Sequence, residues 1–287
     1  MAESGASAYS SRMRVDAHQH FWRHDPVHFA WIDDSMAILR RDFLPEDLEP
    51  LLAAKDLDAC VAVQATTTDA ETDWLLDLAE AHDFIRGVVG WADLRSSTFE
   101  ERLGSLLERP KLVGLRHVVQ SEPDERFLLR EDFARGVEAL GQAGLTYDLL
   151  IYPRQLPAAI AFADRHEDLG IVLDHLAKPE IRSGRLESWT RDLRELARRE
   201  NVFCKISGLV TEADWTAWRP EQIRSCIEVG LEAFGPARLM IGSDWPVCTL
   251  AAGHDQVIDL AESAIGGLSA RERAAIAGEN ARRFYGL

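Results

Sequence analysis

Two histidines lie one residue apart in the first apolar stretch of the chain, His18 and His20 in the run VDAHQH. Alternation along a β-strand places residues i and i+2 on one face, so both imidazoles should point the same way, and Val15 and Ala17 the other way. Such a pair could share one metal ion or one substrate group. An isolated His-x-His is more often a pair of surface or capping residues, so its role depends on which other residues lie near it.

Two later segments end in residues that could complete a site, His175 and Asp244. Three imidazoles and one carboxylate suit a divalent metal, zinc above all. Without a metal, Asp244 could still act as a base while Arg116, at the end of another segment, polarises a carbonyl. The same alternation predicts that Asp174 and Ser243 point to the helix side, as capping or supporting residues.

Eight short apolar segments, each followed by a helical pattern, would position these residues. They are Arg14–His20, Ala59–Ala65, Ile85–Trp91, Leu112–His117, Thr146–Tyr152, Gly170–His175, Asn201–Ser207 and Arg238–Asp244. Eight apolar strands alternating with helices, at intervals of about 32 residues, predict an α/β fold of the (β/α)8 TIM-barrel type. A doubly wound open sheet is the alternative, but the chain has no Gly-rich phosphate turn. In a barrel the carboxyl ends of the strands share one rim, where chemistry is found.

Composition limits the domain organisation and the partners. Residues 13–287 are expected to form a single barrel domain, with a long first loop over 21–44 and a final helix over Ala270–Arg283. Residues 1–12, rich in Ala and Ser, are expected to be a flexible tail and no signal peptide. The formal net charge of −16 disfavours nucleic acid and membranes as partners. Four widely spaced cysteines favour reduced thiols, and the chain has no apolar run of about 18 residues, so a cytoplasmic protein is expected. A monomer or small homo-oligomer is expected.

Four phrases, VDAHQHFW, LDHLAKP, CKISGLVTEADW and LMIGSDWPVC, follow one another in this order. Together they resemble the amidohydrolase superfamily, and within it the sugar-lactonase branch of the L-fuconolactonase and L-rhamnonolactonase type. The likeness extends from Val15 to the final helix. It implies hydrolysis of a sugar lactone, such as an aldono-1,4-lactone of the L-fuconolactone kind, to the open sugar acid.

The resemblance also implies roles for the site residues. The metal-binding or carbonyl-polarising set would be His18, His20, His175 and Asp244. Asp244 would take a proton from the attacking water, and Arg116 and Tyr152 would hold the lactone. Superfamily members with two metals carry a bridging Lys or Glu on strand four and a His on strand five, where this chain offers Arg116 and Tyr152. One metal at most is therefore expected, and the branch varies in whether it needs that metal for activity.

A hydroxyl-rich substrate suits the other polar and aromatic residues expected at the rim. Besides Tyr152, the candidates for substrate binding are Gln64, Trp91, Trp245, Trp31 and Lys178, each of which could instead be packing or solvated surface. Lys205, in the middle of strand seven, could face inward, where a buried ammonium needs a partner.

Two other functions stay open on the sequence alone. A metal-dependent decarboxylase of the same superfamily would use a similar His-x-His, His and Asp set on aromatic acids. A barrel that kept its ligand site without catalysis is the other alternative. Asp244 disfavours that second alternative, because a binding protein needs no base at this position.

Overall fold

The chain folds as a parallel eight-stranded barrel, described here by a computed structural model over residues 13–287. Its strands are β1 (Val15–Gln19), β2 (Ala59–Val63), β3 (Ile85–Gly90), β4 (Leu112–His117), β5 (Thr146–Leu149), β6 (Ile171–Leu173), β7 (Val202–Ile206) and β8 (Leu239–Ile241). All eight predicted segments contain a strand, so the predicted (β/α)8 fold is confirmed. The predicted tail, residues 1–12, lies outside the described residues, and the single domain over 13–287 stays a prediction.

Helices cover the outside of the barrel. They are α1 (Pro45–Ala54), α2 (Asp69–Ala81), α3 (Phe99–Leu107), α4 (Glu131–Gln142), α5 (Leu156–Arg165), α6 (Glu187–Leu196), α7 (Pro220–Phe234), α8 (His254–Ala264), α9 (Ala270–Ala274) and α10 (Asn280–Tyr285). The predicted final helix is thus two helices, joined by a π-helical turn in which Gly278 leaves the helical region. Within residues 13–287 no helix is both long enough and apolar enough to cross a membrane.

The barrel closes where its first and last strands meet. The amide of His20 donates to the carbonyl of Trp245 at 2.7 Å, and the amide of Asp244 donates to the carbonyl of His18 at 2.8 Å. These two bonds lie at the carboxyl ends of β1 and β8. Closure therefore brings the two histidines of β1 next to the aspartate that follows β8.

A bulge in β1 decides which of its side chains face inward. Asp16 pairs with Cys60 and Gln19 with Ala62, so two residues of β1, Ala17 and His18, stand opposite the single residue Val61. Val15 and Ala17 belong to the apolar cluster that fills the barrel interior. The prediction that they face away from the histidines was wrong, because the bulge interrupts strict alternation.

Seven of the eight strands end before the predicted segments do, and after β6 and β8 the backbone turns to direct the site residues. Residues 175–178, directly after β6, all have left-handed φ values between 52° and 58°, and Asp244 has φ 58°. For residues with a Cβ this region costs roughly 1–2 kcal/mol each. Four such residues in succession are held by tertiary contacts, and strain of this kind concentrates at functional sites.

Candidate active site

Three histidines surround one oxygen of Asp244 at the carboxyl end of the barrel. The Nε2 atoms of His20, His18 and His175 lie 3.3, 3.8 and 3.9 Å from Asp244 Oδ1. All four side chains are buried, with the residues between 0% and 4% exposed. The structure therefore brings together the four residues that the sequence proposed as one set.

The hydrogen bond on the far side of the His20 ring assigns its tautomer. His20 Nδ1 lies 2.7 Å from the carbonyl oxygen of Val63, which only accepts, so this nitrogen carries the proton. In the neutral His20 ring the Nε2 lone pair is consequently directed into the site. His18 Nδ1 lies 3.2 Å from Asp174 Oδ1 and 3.0 Å from Lys205 Nζ, and its Nε2 lies 3.3 Å from Arg116 Nη1, so a cation that can only donate faces each nitrogen of this ring. His175 Nδ1 contacts the Ser207 hydroxyl at 2.8 Å, which holds this ring as well.

This arrangement fits a divalent metal. A lone pair of His20 facing a carboxylate at 3.3 Å is repulsive unless a cation or proton lies between them. Ligating histidines characteristically donate their second ring N–H to a carboxylate or carbonyl, as His20 does to the carbonyl of Val63. Tetrahedral zinc with bonds of about 2.0–2.1 Å separates its ligand atoms by roughly 3.4 Å. His18, His20 and Asp244 offer ligand atoms that all lie within 4.8 Å of one another, and His175 Nε2 lies 3.9 Å from Asp244 Oδ1, so the residues could hold one ion.

Arg116 supplies a buried cation beside this set. Its Nη1 donates to Asp174 Oδ2 at 2.9 Å and lies 3.3 Å from His18 Nε2. Its Nη2 donates to the backbone carbonyl of Gln64 and, at 2.9 Å, to the side-chain oxygen of Gln64. Gln64 thus fixes the guanidinium, whose positive charge stands at the edge of the histidine cluster.

Beneath the histidines lies a second layer of buried charge. Lys205 is fully buried and forms ion pairs with Asp148 and, at 3.0 Å, with Asp174. The hydroxyl of Tyr285 donates to both carboxylate oxygens of Asp148 at 2.9 and 3.0 Å. A continuous chain of contacts therefore leads from α10 through the barrel interior to His18.

Asp174 is where the sequence prediction was wrong. It faces the barrel interior, since Val172 two residues earlier belongs to the interior cluster and Leu173 to the outer one. The left-handed turn at His175 then directs that ring into the same site. Ser243 does lie on the outer side as predicted, with its hydroxyl donating to Asp16 Oδ2 at 2.5 Å.

The neighbouring groups set the charge of the site. Burial by itself would raise the pKa of Asp244, but the facing histidines, His175 first, outweigh it and hold that pKa far below its ordinary value. Burial lowers the pKa of His175 to about 4, against the attraction of Asp244 and Asp174. Burial likewise lowers the pKa of His18, so at neutral pH the site contains an ionised Asp244 carboxylate facing the neutral imidazoles of His18 and His175.

Two glycines allow the backbone to approach the histidines. At Gly242 a Cβ would lie 2.6 Å from the Cβ of His18, and at Gly208 it would lie 2.5 Å from Nδ1 of His175. Gly208 also has φ 61°, which disfavours any other residue. Both positions need glycine for the rings to stand where they do.

The residues proposed for substrate binding divide into two groups. Gln64 and Lys178 stand next to the site, and the Tyr152 ring lies 5.6 Å from Lys178 Nζ although β5 ends three residues before it. The three tryptophans instead show packing contacts. Trp91 Nε1 donates to His117 Nδ1 at 3.3 Å, and Trp245 is 3% exposed and packs edge-on against aromatic rings of the first loop. Trp31 is 40% exposed and packs edge-on against Trp22.

Several charged residues near the site were missed by the sequence reasoning. Asp148 could have been noticed as the one acidic residue in the apolar segment TYDLLIY. Glu212, at the end of the 3-10 turn Val210–Glu212, comes within 3.6 Å of Lys178, and only the fold brings the two together. Glu71 of α2 accepts hydrogen bonds from the amides of Ala65 and Thr66, and burial raises its pKa to about 7.

Known proteins resemble this chain over nearly its whole length. The family model described as amidohydrolase matches residues 15–287. An L-fucono-1,5-lactonase from Burkholderia multivorans is 46% identical over 286 residues, 96% of each chain. A second L-fucono-1,5-lactonase, from Burkholderia ambifaria, is 42% identical over 84% of this chain and 82% of its own.

A solved structure shares the fold in detail. It is an amidohydrolase from Burkholderia multivorans with bound zinc, 46% identical, with a TM-score of 0.94 over 96% of this chain and 99% of its own. The family match, the barrel and the histidine–aspartate set agree with one another. This chain belongs to the amidohydrolase family.

Proposed function

We propose that the protein is a hydrolase that opens the ester bond of a sugar lactone to give the sugar acid. The observation that carries the proposal is the ionised carboxylate of Asp244 facing three histidine Nε2 atoms at 3.3–3.9 Å. Support for the substrate class comes from the two relatives named L-fucono-1,5-lactonase, at 46% and 42% identity. Because both are named for the six-membered ring, we favour a 1,5-lactone over the 1,4-lactone expected from the sequence.

In this proposal Asp244 is the general base. Its Oδ1 faces the histidines, whereas its Oδ2 accepts no hydrogen bond from any residue in the described range 13–287 and is free to take a proton from water. The water oxygen forms a bond to the lactone carbonyl carbon as Asp244 takes the proton. The bond from that carbon to the ring oxygen then breaks, and Asp244 returns the proton to the leaving oxygen. Lactone and water give the hydroxy acid, and the carboxylate is regenerated.

Positive charge for the carbonyl oxygen comes from Arg116 in this mechanism. One Nη1 hydrogen of Arg116 is committed to Asp174, and the other points toward His18 Nε2, on the side of the site where Asp244 lies. That second hydrogen can be shared with a substrate oxygen that becomes negative as water adds. A preorganised donor of this kind is worth about 100- to 1000-fold in rate.

A zinc ion would be held by His18, His20, His175 and Asp244, and when bound it would supply a Lewis acid next to the carbonyl. We propose that the permanent charge of Arg116 lets the protein retain part of its activity after metal removal. An ester has a good leaving group, so one cation and one base can be sufficient.

The test is turnover by purified protein of L-fucono-1,5-lactone, L-fucono-1,4-lactone and a dihydroxybenzoate. Acid release is followed with a pH indicator against an enzyme-free blank, and CO2 release is followed for the aromatic acid. We expect acid release from the lactones, fastest with the 1,5-ring, and no CO2. Absence of turnover with every sugar lactone would refute the proposal, and CO2 release would favour the decarboxylase alternative.

We further propose a role in carbohydrate metabolism in the cytoplasm, as a monomer or small homo-oligomer that binds neither nucleic acid nor membranes. The formal net charge of −16 supports the last point, because it repels polyanions. Sedimentation analysis of the purified protein, alone and with DNA, tests the assembly state and the absence of nucleic-acid binding.

A further inference from the structure

Two opposite charges face each other at the mouth of the barrel, on the loops that follow β6 and β7. Lys178 Nζ lies 3.6 Å from Glu212 Oε1, and the two side chains are 17% and 20% exposed. Lys178 ends the left-handed turn that begins at His175, and its amide donates to the His175 carbonyl at 2.8 Å. Lys178 is therefore joined to His175 through the backbone of this turn, and Glu212 is joined to Lys178 by the ion pair.

The two charges pair with each other without a hydrogen bond. The 3.6 Å separation exceeds hydrogen-bond length, and in the described part of the chain no other polar atom donates to the Glu212 carboxylate or accepts from the Lys178 ammonium. Burial raises the pKa of Glu212 although Lys178 opposes this, and the charge of Asp244 raises it further. Partly desolvated charges without hydrogen bonds are costly, so this pair is suited to an external polar group.

We propose that Glu212 and Lys178 bind a ring hydroxyl of the sugar lactone and thereby determine which sugars are accepted. The inference rests on the proposed lactonase function. With the two charged atoms 3.6 Å apart, one hydroxyl oxygen can lie within hydrogen-bond distance of both. That hydroxyl donates its proton to Glu212 and accepts a hydrogen bond from Lys178, a combination that a carbon-bound hydrogen cannot supply.

The proposal predicts discrimination against substrates that lack the contacted hydroxyl. A site built to hydrogen-bond a hydroxyl rejects an analogue without it, because its own charged groups are left without partners. The Tyr152 ring, 5.6 Å from Lys178 Nζ, stands next to this position and can cover the adjacent carbon atoms of the sugar. Glu212 and Lys178 are binding residues here and take no part in the proton transfers of Asp244.

The experiment compares Glu212→Gln and Lys178→Met with wild type on the parent 1,5-lactone and on its monodeoxy analogues. We expect each variant to lose about ten- to a hundredfold in kcat/KM on the parent, mainly through KM, the range for a hydrogen bond to a charged group. For one monodeoxy lactone the wild type should lose a similar factor, and Glu212→Gln should show no further loss. Glu232→Gln is the control, since it makes the same substitution in a carboxylate that pairs with Arg194 at 2.7 Å on the exposed surface.

The possible failures can be told apart. If the wild type hydrolyses no sugar lactone, the proposed function fails and this inference fails with it. If the wild type is active but Glu212→Gln equals it, or loses the same factor on the parent and on every monodeoxy lactone, only the inference is refuted. Thermal unfolding of each variant separates a binding loss from a folding defect.

Discussion

The buried ammonium of Lys205 gives the sharpest quantitative expectation. Lys205→Met conserves much of the side-chain volume but removes the cation shared by Asp148 and Asp174, all three of which are 0% exposed. Removing one partner of a buried pair typically costs about 3–5 kcal/mol, because the remaining charge is neither solvated nor compensated. Asp174 retains Arg116 at 2.9 Å and Asp148 retains Tyr285, so we expect the lower part of this range.

Urea unfolding of the single and double variants measures this cost. Tryptophan fluorescence, from eight tryptophans, and far-UV circular dichroism should be recorded together. A single free energy of unfolding can be assigned to a chain of 287 residues only if the two transitions coincide. Asp148→Asn keeps the contact with Tyr285 and removes one of the two charges that Lys205 compensates. Lys205→Met with Asp148→Asn should therefore cost at least about 1 kcal/mol less than the sum of the single changes.

An exposed ion pair provides the control for this cycle. Arg194 and Glu232 are 49% and 64% exposed, and Arg194→Met should cost less than about 1 kcal/mol. If Lys205→Met costs no more than this control, or if the cycle is additive within about 0.5 kcal/mol, Lys205 does not compensate buried carboxylates and the reasoning is refuted.

Four further outcomes are expected. Asp244→Asn should lower kcat on a sugar lactone at least about a hundredfold with thermal stability retained, and near-normal kcat would exclude it as the base. After chelation, with metal content measured, wild type should keep part of its turnover and Arg116→Met should lose it; equal residual activity would contradict the role of Arg116. Burial lowers the pKa of His117, although the neighbouring Glu122 raises it. As the pH falls, His117 is therefore protonated in the unfolded chain before it is protonated in the folded protein. The free energy of unfolding should fall as the pH drops below about 6.5, by up to about 1.4 kcal/mol per pH unit. His117→Gln should flatten this slope in denaturant titrations at several pH values. Gly208→Ala should displace the His175 ring and reduce kcat, whereas an unchanged kcat would show that the loop relaxes freely.

Much of the barrel was predictable because the same local pattern, an apolar strand followed by a helix, recurs along the chain. Eight apolar segments alternating with helical patterns leave few arrangements besides a parallel barrel, and strand ends then gather at one rim. His18, His20, His175 and Asp244 could be grouped on this basis alone. To predict that these residues form one cluster, only the order of the strands and the pairing of β1 with β8 were needed.

The errors came from single-residue departures from regular backbone. One extra residue in β1 turns both Ala17 and His18 inward, and no composition rule marks that bulge. In β6 the parity assigned from Leu173 was off by one, which sent Asp174 to the wrong side. Lys178 and Glu212 follow different strands, so their pairing depends on loop shapes that periodicity does not describe.

The seam between β1 and β8 has a consequence for how activity is acquired during folding. His20 and Asp244 are 224 residues apart in the sequence and meet only when the first strand joins the last. Joining such distant segments is entropically expensive and is a slow kind of step in folding. A partly assembled chain in which β1 has not yet joined β8 would lack the contacts of His18 and His20 with Asp244. Recovery of enzymatic turnover after dilution from urea would therefore report when β1 pairs with β8. It should lag behind the recovery of the helical circular dichroism signal.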